Sequence, residues 1–488
     1  MILASLILAA LIGLVPAPVE YSPERSRTCF RKAIEHLEPW QKEEAYRITI
    51  RGRKVKVEAL TKEGRFRAQT TLEQLRALGE LPEGTILDYP RLRHRGLMID
   101  ESRSFKGLEF LKKQIDAMAL LKLNVLHLHL DDSAGWRMEI DSYPNLTAST
   151  AFRVGYTYHE WEAGKYKFTS AEDPAGYGGF YSKAELRELV EYAAKRFITV
   201  IPEIEMPGHS MEVGYAYPEV LCTLEDGTPC RGAWDLCPGS EATYRLLESV
   251  LSEVMEVFPS ELIHIGGDEA TMKTWPGCPK CLALMEREGY TSVKQLQGHL
   301  VRRIEAFVRS HGRRIIGWDE ILETGVPEGA VVQSWRGVSG GQKASALGHD
   351  VVMSPNTHLY LDYYQDLIRK EPKAVGALTS LRWVYGYEPL APGMAPEHLL
   401  GIQGNLWCEL IPTPEHAEYM LYPRAFAIAE TAWSPSSAKD WESFYRRTRA
   451  LLEVFHRRGY RSFNLDTESD LSRSGCRTYE EYDAYLKN

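Results

Sequence analysis

The chain has 488 residues, a net charge of −9 at pH 7 and 26% charged residues, enough length for a full-size core and two domains, one of them large. Mild acidity without any basic tract argues against nucleic acid as a partner. After residue 15 no stretch approaches the roughly 20 apolar residues of a membrane span.

Residues 2–15 are apolar and end in Pro16-Ala17-Pro18, the pattern of the hydrophobic region and cleavage zone of a secretory signal. Residues 1–19 are therefore expected to be a cleaved leader and the protein to be exported, to the periplasm or outside the cell if bacterial. No Lys or Arg precedes the apolar run, and the alternative is a buried N-terminal helix. An even count of eight cysteines suits disulfides in an oxidising compartment. Cys278-Pro-Lys-Cys281 has zinc-ribbon spacing. A structural zinc site needs four ligands, and no second close pair is evident, so a local disulfide or two free thiols is expected there and no metal.

Residues 20–90 read as a small α+β domain. Strands are expected at 46–50 and 55–59 and a helix at 71–78, with Pro82, Gly84 and Pro90 marking a loop and boundary. From residue 91 to 465 apolar strand-like runs alternate with helical segments. The runs cover 96–100, 123–132, 198–205, 262–269, 314–320, 330–335, 350–355 and 399–407, and eight is the count of a (β/α)8 TIM barrel. Helices are expected at 111–121, 183–196, 241–257 and 292–310, with closing helices at 419–433 and 440–458. Residues 466–488 read as a C-terminal tail.

Leu262-Ile-His-Ile-Gly-Gly-Asp-Glu-Ala270 is the most informative segment, an apolar run ending in two glycines and two adjacent carboxylates. Parallel-barrel strands are buried on both faces, and such folds place their chemistry where strands exit. Consecutive strand residues point to opposite faces, so a glycine bend is needed to aim Asp268 and Glu269 at one ligand. The alternative is that Asp268 caps a helix from about Ala270.

The strand ends together resemble family 20 glycoside hydrolases, the β-N-acetylhexosaminidases, from about residue 45 to 465. Arg95-Gly-Leu-Met-Ile-Asp100 resembles the family's first strand, and 122–132 with Gly135-Trp136-Arg137 its second. Val200 to His209 resembles the third and His264-Ile-Gly-Gly-Asp-Glu269 the fourth. Gly317-Trp-Asp-Glu320, Ser334-Trp-Arg-Gly337, Tyr360-Leu-Asp362 and Asn405-Leu-Trp-Cys-Glu409 continue the series. The second strand departs from the family pattern, carrying Asp132-Ser133-Ala134 where two acids and a Gln usually precede Gly-Trp.

The resemblance implies an exo-acting, retaining hydrolase of terminal β-linked GlcNAc or GalNAc on glycans or glycoconjugates. It needs no cofactor, and the substrate's own acetamido oxygen is the nucleophile, giving an oxazolinium ion. It assigns Asp268 to the acetamido N–H and Glu269 to acid–base catalysis. Trp318, Trp335 and Trp407 would box the acetamido methyl, and Tyr360 would donate to the acetamido oxygen. Arg95, Asp362 and Glu409 would contact sugar hydroxyls, and Asp132, Glu205, His209 and His264 would support Glu269. Taken singly, Trp136 and Trp275 read as core residues.

Two other readings stand beside this one. His127-Leu-His129 with His209 and His264 imitates a metal-dependent amidohydrolase, although the pair sits on the second strand and no strand-end lysine suits carboxylation. A sugar-binding barrel without catalysis would not need both Asp268 and Glu269.

Overall fold

The computed structural model describes residues 13–24, 28–367, 371–376 and 378–486. Its N-terminal domain contains strands β1 (Glu20–Ser22), β2 (Tyr46–Arg51) and β3 (Lys54–Ala59), helix α1 (Lys62–Ala77) and strand β4 (Gly84–Asp88). The strands form an antiparallel sheet in the order β1-β4-β2-β3. Along β2 the alternate residues Tyr46, Ile48 and Ile50 are buried and pack against Ala68, Leu72 and Leu75 of α1, as the period of two in a strand requires. The helix begins nine residues earlier than expected, capped by the Thr61 side chain, which accepts from the Gly64 N–H. Its charged first half hid it, because Arg67 is buried there against Glu44 at 2.9 Å. β4 occupies what reads as a loop in the sequence and pairs with both β1 and β2.

Part of the expected leader belongs to this domain. Leu14, Val15 and Ala17 are buried. The Gln74 side chain holds the Val15 peptide by both its N–H and its carbonyl. The Ala17 N–H donates to Glu430, and Arg447 donates to the Leu14 carbonyl. A chain cleaved at residue 19 would lack these contacts; residues 1–12 lie outside the described residues.

The barrel runs β5 (His94–Asp100), α2 (Leu108–Leu120), β6 (Val125–His129), α3 (Lys183–Ala194), β7 (Thr199–Glu203), α4 (Glu241–Val257), β8 (Leu262–His264), α5 (Pro279–Glu288), α6 (Lys294–Ser310), β9 (Arg314–Trp318), β10 (Val331–Ser334), α7 (Ser339–Ala346), β11 (Val351–Met353) and β12 (Leu399–Leu406). Each strand pairs in parallel with the next, and β12 closes on β5. All eight apolar runs supply one barrel strand each. Beyond β12 lie α8 (Pro414–Leu421), α9 (Arg424–Trp433) and α10 (Trp441–Arg457). The single helix expected over 419–433 is broken at Tyr422-Pro423, since proline lacks the donor and clashes with the preceding turn. The expected tail is docked: Ser469 and Ser472 donate to Asp366.

None of the eight cysteines is in a disulfide. Cys278 and Cys281 do have a second pair close by. The fold brings Cys222 and Cys237, remote in sequence, into one buried group with them.

Candidate active site

β8 is only three residues long, and the chain beyond it forms neither strand nor helix until Pro279. The reading of Asp268 as a helix cap therefore fails. Gly266 and Gly267 adopt φ of 62° and 98°, the left-handed region open to glycine. Gly266 also has no room for a side chain, because a Cβ there would fall 1.9 Å from a Glu205 carboxylate oxygen. Glu205 in turn accepts the Gly267 N–H at 2.9 Å. Glu269 itself has φ 45°, an uncommon conformation for a non-glycine residue that persists only where surroundings enforce it.

The bend separates two environments. Asp268 is buried, one of its carboxylate oxygens has no hydrogen-bond partner in the protein, and burial with the charges of Glu203 and Glu269 raises its pKa. The Glu269 side chain is 58% exposed and lies 3.4 Å from His209 Nε2, whose hydrogen bond holds its pKa below the ordinary value. His209 is kept protonated against the penalty of burial by Asp132, 3.3 Å from its Nδ1. Asp132 also receives Arg103 at 2.5 Å and His129 at 3.2 Å. A continuous polar chain thus runs Arg103, Asp132, His209, Glu269.

Beneath it lies Glu203, which sequence reasoning did not single out. Its carboxylate takes the Trp318 indole N–H at 2.8 Å and His264 Nδ1 at 2.9 Å, with His127 Nε2 at 3.1 Å and His129 Nδ1 also against it. The signal was the Glu203-Ile-Glu205 alternation, which points both acids inward from one strand end. Three of the four histidines of the amidohydrolase reading converge on this carboxylate, whereas His209 is engaged with Asp132. Burial depresses His127 to about 4.

The aromatic side chains form a connected wall. Trp318 and Trp407 have ring centroids 5.8 Å apart, Trp407 and Tyr360 6.2 Å, and Tyr360 stacks on Trp335 at 6.1 Å and 16°. Asp319 fixes Trp335 by accepting its backbone N–H at 3.0 Å, and Glu320 accepts its indole N–H at 2.9 Å. Glu320 is a second residue missed in the sequence: burial and the charge of Asp268 push it up to about 8. Trp136 and Trp275 are buried away from this wall, Trp275 among the four clustered cysteines.

Asp362 and Glu409 are both raised in pKa by burial, Asp362 further by Glu409 and Glu409 by Asp100. Each has one buried oxygen without a hydrogen-bond donor. Arg95 is not with them. It is the second residue of β5, at the opposite end of the barrel, where it donates to Glu44 at 2.5 Å and to the carbonyls of Leu92 and Lys122 and lies 5.0 Å from the Trp433 ring. The arginine at the strand exit is Arg103, just past the end of β5, 3.8 Å from Glu409 and 5.0 Å from the Trp407 ring. A strand of seven residues spans the barrel wall, so choosing the arginine that starts the motif selects the wrong end.

Comparison with known proteins agrees with this architecture. The model of the glycosyl hydrolase family 20 catalytic domain matches residues 92–436, and that of the family's domain 2 matches residues 7–89. A β-hexosaminidase of Porphyromonas gingivalis is 39% identical over 426 residues, covering 83% of this chain but only 53% of its own length. One from Akkermansia muciniphila is 33% identical with 93% of both chains covered. The solved exo-β-N-acetylglucosaminidase of Vibrio harveyi, in complex with N-acetylglucosamine, superimposes with a TM-score of 0.79 at 30% identity, covering 93% of this chain and 78% of its own. The chain spans about half the length of the first of these relatives and nearly all of the second. With both of its domains matched in order, this chain belongs to glycosyl hydrolase family 20.

Proposed function

We propose that the chain is an exo-acting, retaining β-N-acetylhexosaminidase that removes terminal β-linked GlcNAc or GalNAc from glycans or glycoconjugates. The observation that carries this reading is a set of three carboxylates, buried Asp268 and Asp362 and half-buried Glu409, each with a buried oxygen lacking a donor, beside a wall of four aromatic rings. Orphaned buried acceptors are costly, and a sugar presenting one amide N–H and several hydroxyls supplies the missing donors.

In this reading the acetamido methyl sits against Trp318, Trp335 and Trp407, and Asp268 takes the acetamido N–H. Tyr360 donates to the acetamido oxygen, and Arg103, Asp362 and Glu409 hold hydroxyls. The acetamido oxygen attacks the anomeric carbon as the bond to the leaving oxygen breaks and Glu269 gives that oxygen a proton. Asp268 stabilises the positive charge that develops on the resulting oxazolinium. Water then adds to the same carbon, displacing the acetamido oxygen and returning a proton to Glu269. Two displacements retain configuration, in the substrate-assisted manner of this family. His209 lowers the Glu269 pKa in the free protein; substrate covering the exposed carboxyl removes water and favours the protonated form needed for the first step.

NMR of the first-formed sugar from a chromogenic N-acetylglucosaminide tests this directly. The β anomer is expected, and an α anomer would rule the mechanism out.

A further inference from the structure

The four cysteines brought together by the fold lie outside the sugar site. Cys222 and Cys237 belong to the excursion between β7 and α4. Cys278 is the N-cap of α5, and Cys281 lies in its first turn. All four are fully buried. The sulfurs of Cys222 and Cys281 are 3.8 Å apart, those of Cys237 and Cys278 3.7 Å, and those of Cys237 and Cys281 3.6 Å, and all four lie within 4.8 Å of one another. Four thiolates placed tetrahedrally about zinc at about 2.3 Å have edges of about 3.8 Å. Trp275, Leu284 and Leu296 close the group off from water. Backbone geometry around it is that of a fixed cage: Cys230 N–H donates to the Cys222 carbonyl, Cys237 N–H to that of Val220 and Cys278 N–H to that of Trp275. The Thr223 N–H faces the Cys278 sulfur.

We propose that Cys222, Cys237, Cys278 and Cys281 bind one structural zinc ion. Binding releases the four thiol protons, and with four protein ligands no position remains for water or substrate, so the ion is a cross-link and not a reagent.

The cross-link joins the two excursions that frame Glu269. Two residues before Cys237, the Asp235 carboxylate accepts the Thr271 N–H at 2.9 Å, its hydroxyl at 2.5 Å and the Met272 N–H at 2.8 Å. At Gly239 the two backbones are so close that a Cβ would lie 2.4 Å from the Lys280 carbonyl. Glu269 and Met272 both hold left-handed backbone angles in a segment without helix or strand. The metal closes one end of this ladder and the glycine bend the other, so zinc positions Glu269 through the backbone. This last step rests on the proposed role of Glu269; the metal site does not.

The test uses the full chain purified without added metal. Elemental analysis is expected to give about one zinc per chain, held until a mercurial releases it, with Cys230→Ser unchanged and Cys281→Ser depleted. Because Cys281→Ser risks misfolding, exchange of the wild-type ion for cobalt(II) is the decisive measurement: tetrahedral d–d bands with sulfur-to-cobalt charge transfer are expected. Cobalt bands without sulfur charge transfer would place the ion at the buried histidines and overturn the assignment. Wild-type protein carrying iron, or no metal with four free thiols, or disulfides within the group by mass, would each overturn it as well. Metal removal that leaves the fold intact should lower kcat more than it raises KM. Zinc-replete protein inactive on a chromogenic N-acetylhexosaminide would instead sink the hydrolase reading and leave the zinc site standing.

Discussion

The two ends of the barrel bury charge in opposite ways. At the end facing the N-terminal domain Glu44 binds Arg67 and Arg95, Asp88 binds Lys122 at 2.7 Å and the Trp433 indole at 2.9 Å, and Glu430 binds Arg447 at 2.6 Å. None of these carboxylates has a buried oxygen without a partner. At the strand-exit end Asp268, Asp362 and Glu409 each do, and burial raises the pKa of all three. Buried charge by itself therefore does not mark a site. What distinguishes the strand-exit end is carboxylate charge left incompletely paired at a cost in stability, a cost that ligand binding would recover.

Substitutions at the incompletely paired end should break activity and leave the fold alone. The largest effect is expected at Glu269. Glu269→Gln removes the acid, so kcat should fall roughly 10²- to 10⁴-fold for glycosides with poor leaving groups and less for activated aryl glycosides, with the melting temperature unchanged. Asp268→Asn keeps the acid but weakens support of the acetamido nucleophile. Its loss should be similar for good and poor leaving groups, and it should weaken binding of a thiazoline analogue of the oxazolinium. Equal leaving-group dependence in the two variants would mean the roles are misassigned.

The two arginines of the β5 segment carry the comparison within one stretch of chain. Arg95→Ala should cost roughly 3 kcal/mol of stability, the low end for breaking a buried ion pair because Arg67 still holds Glu44. Denaturation should show it, with KM of the folded fraction unchanged. Arg103→Ala should also cost stability, because it takes a partner from the buried Asp132 and Asp100, but unlike Arg95→Ala it should in addition reduce kcat/KM of the folded fraction by roughly 10²-fold, about 2.7 kcal/mol, since it abandons Glu409 as well. Glu409→Gln should change the GlcNAc to GalNAc ratio of kcat/KM, because the two sugars differ at the hydroxyl this pair is placed to read. An Arg95 variant that is stable yet inactive would reverse the assignment.

Deleting residues 13–19 tests the paired end from another side. It strips the Gln74 side chain, Glu430 and Arg447 of backbone partners at roughly 1–3 kcal/mol for each buried group left unmatched. Urea unfolding should show a loss of several kcal/mol. A truncated chain of unchanged stability would support the boundary at residue 19.

Much of this contrast was legible in the chain itself. The eight barrel runs, the Gly-Gly-Asp-Glu bend and the three strand-end tryptophans were readable because burial on both faces leaves an uninterrupted apolar signature that ends where polar chemistry begins. What escaped depended on contacts distant in sequence. Arg67 looks like a surface charge, and Arg95 like a sugar contact, until Glu44 is folded against them. Cys222 and Cys237 look unrelated to Cys278 and Cys281 until β7 and β8 lie side by side. The apolar segment at residues 13–17 reads as a leader, and its contacts with Gln74, Glu430 and Arg447 were not legible in the chain.

The smallest expected effect lies at Glu320, the carboxylate between the two behaviours: it has a donor in Trp335, yet burial and the charge of Asp268 push it from 4.5 up to about 8. Below pH 4.5 it is protonated folded or unfolded and contributes nothing to pH dependence. Between 4.5 and 8 the unfolded chain has released the proton and the folded protein keeps it, so the folded state binds more protons and stability falls as pH rises. Above 8 the penalty is constant. Glu320→Gln removes it, and the gain in stability over wild type should grow from pH 5 to pH 8 to on the order of 2 kcal/mol, with water and Arg336, 3.6 Å away, moderating the full value. Asp268→Asn removes the neighbouring charge, so Glu320 should titrate lower and the same variant should then gain less. If the advantage of Glu320→Gln is equally large with and without the Asp268 charge, burial alone sets its proton affinity, and the two carboxylates are not electrostatically linked across the site.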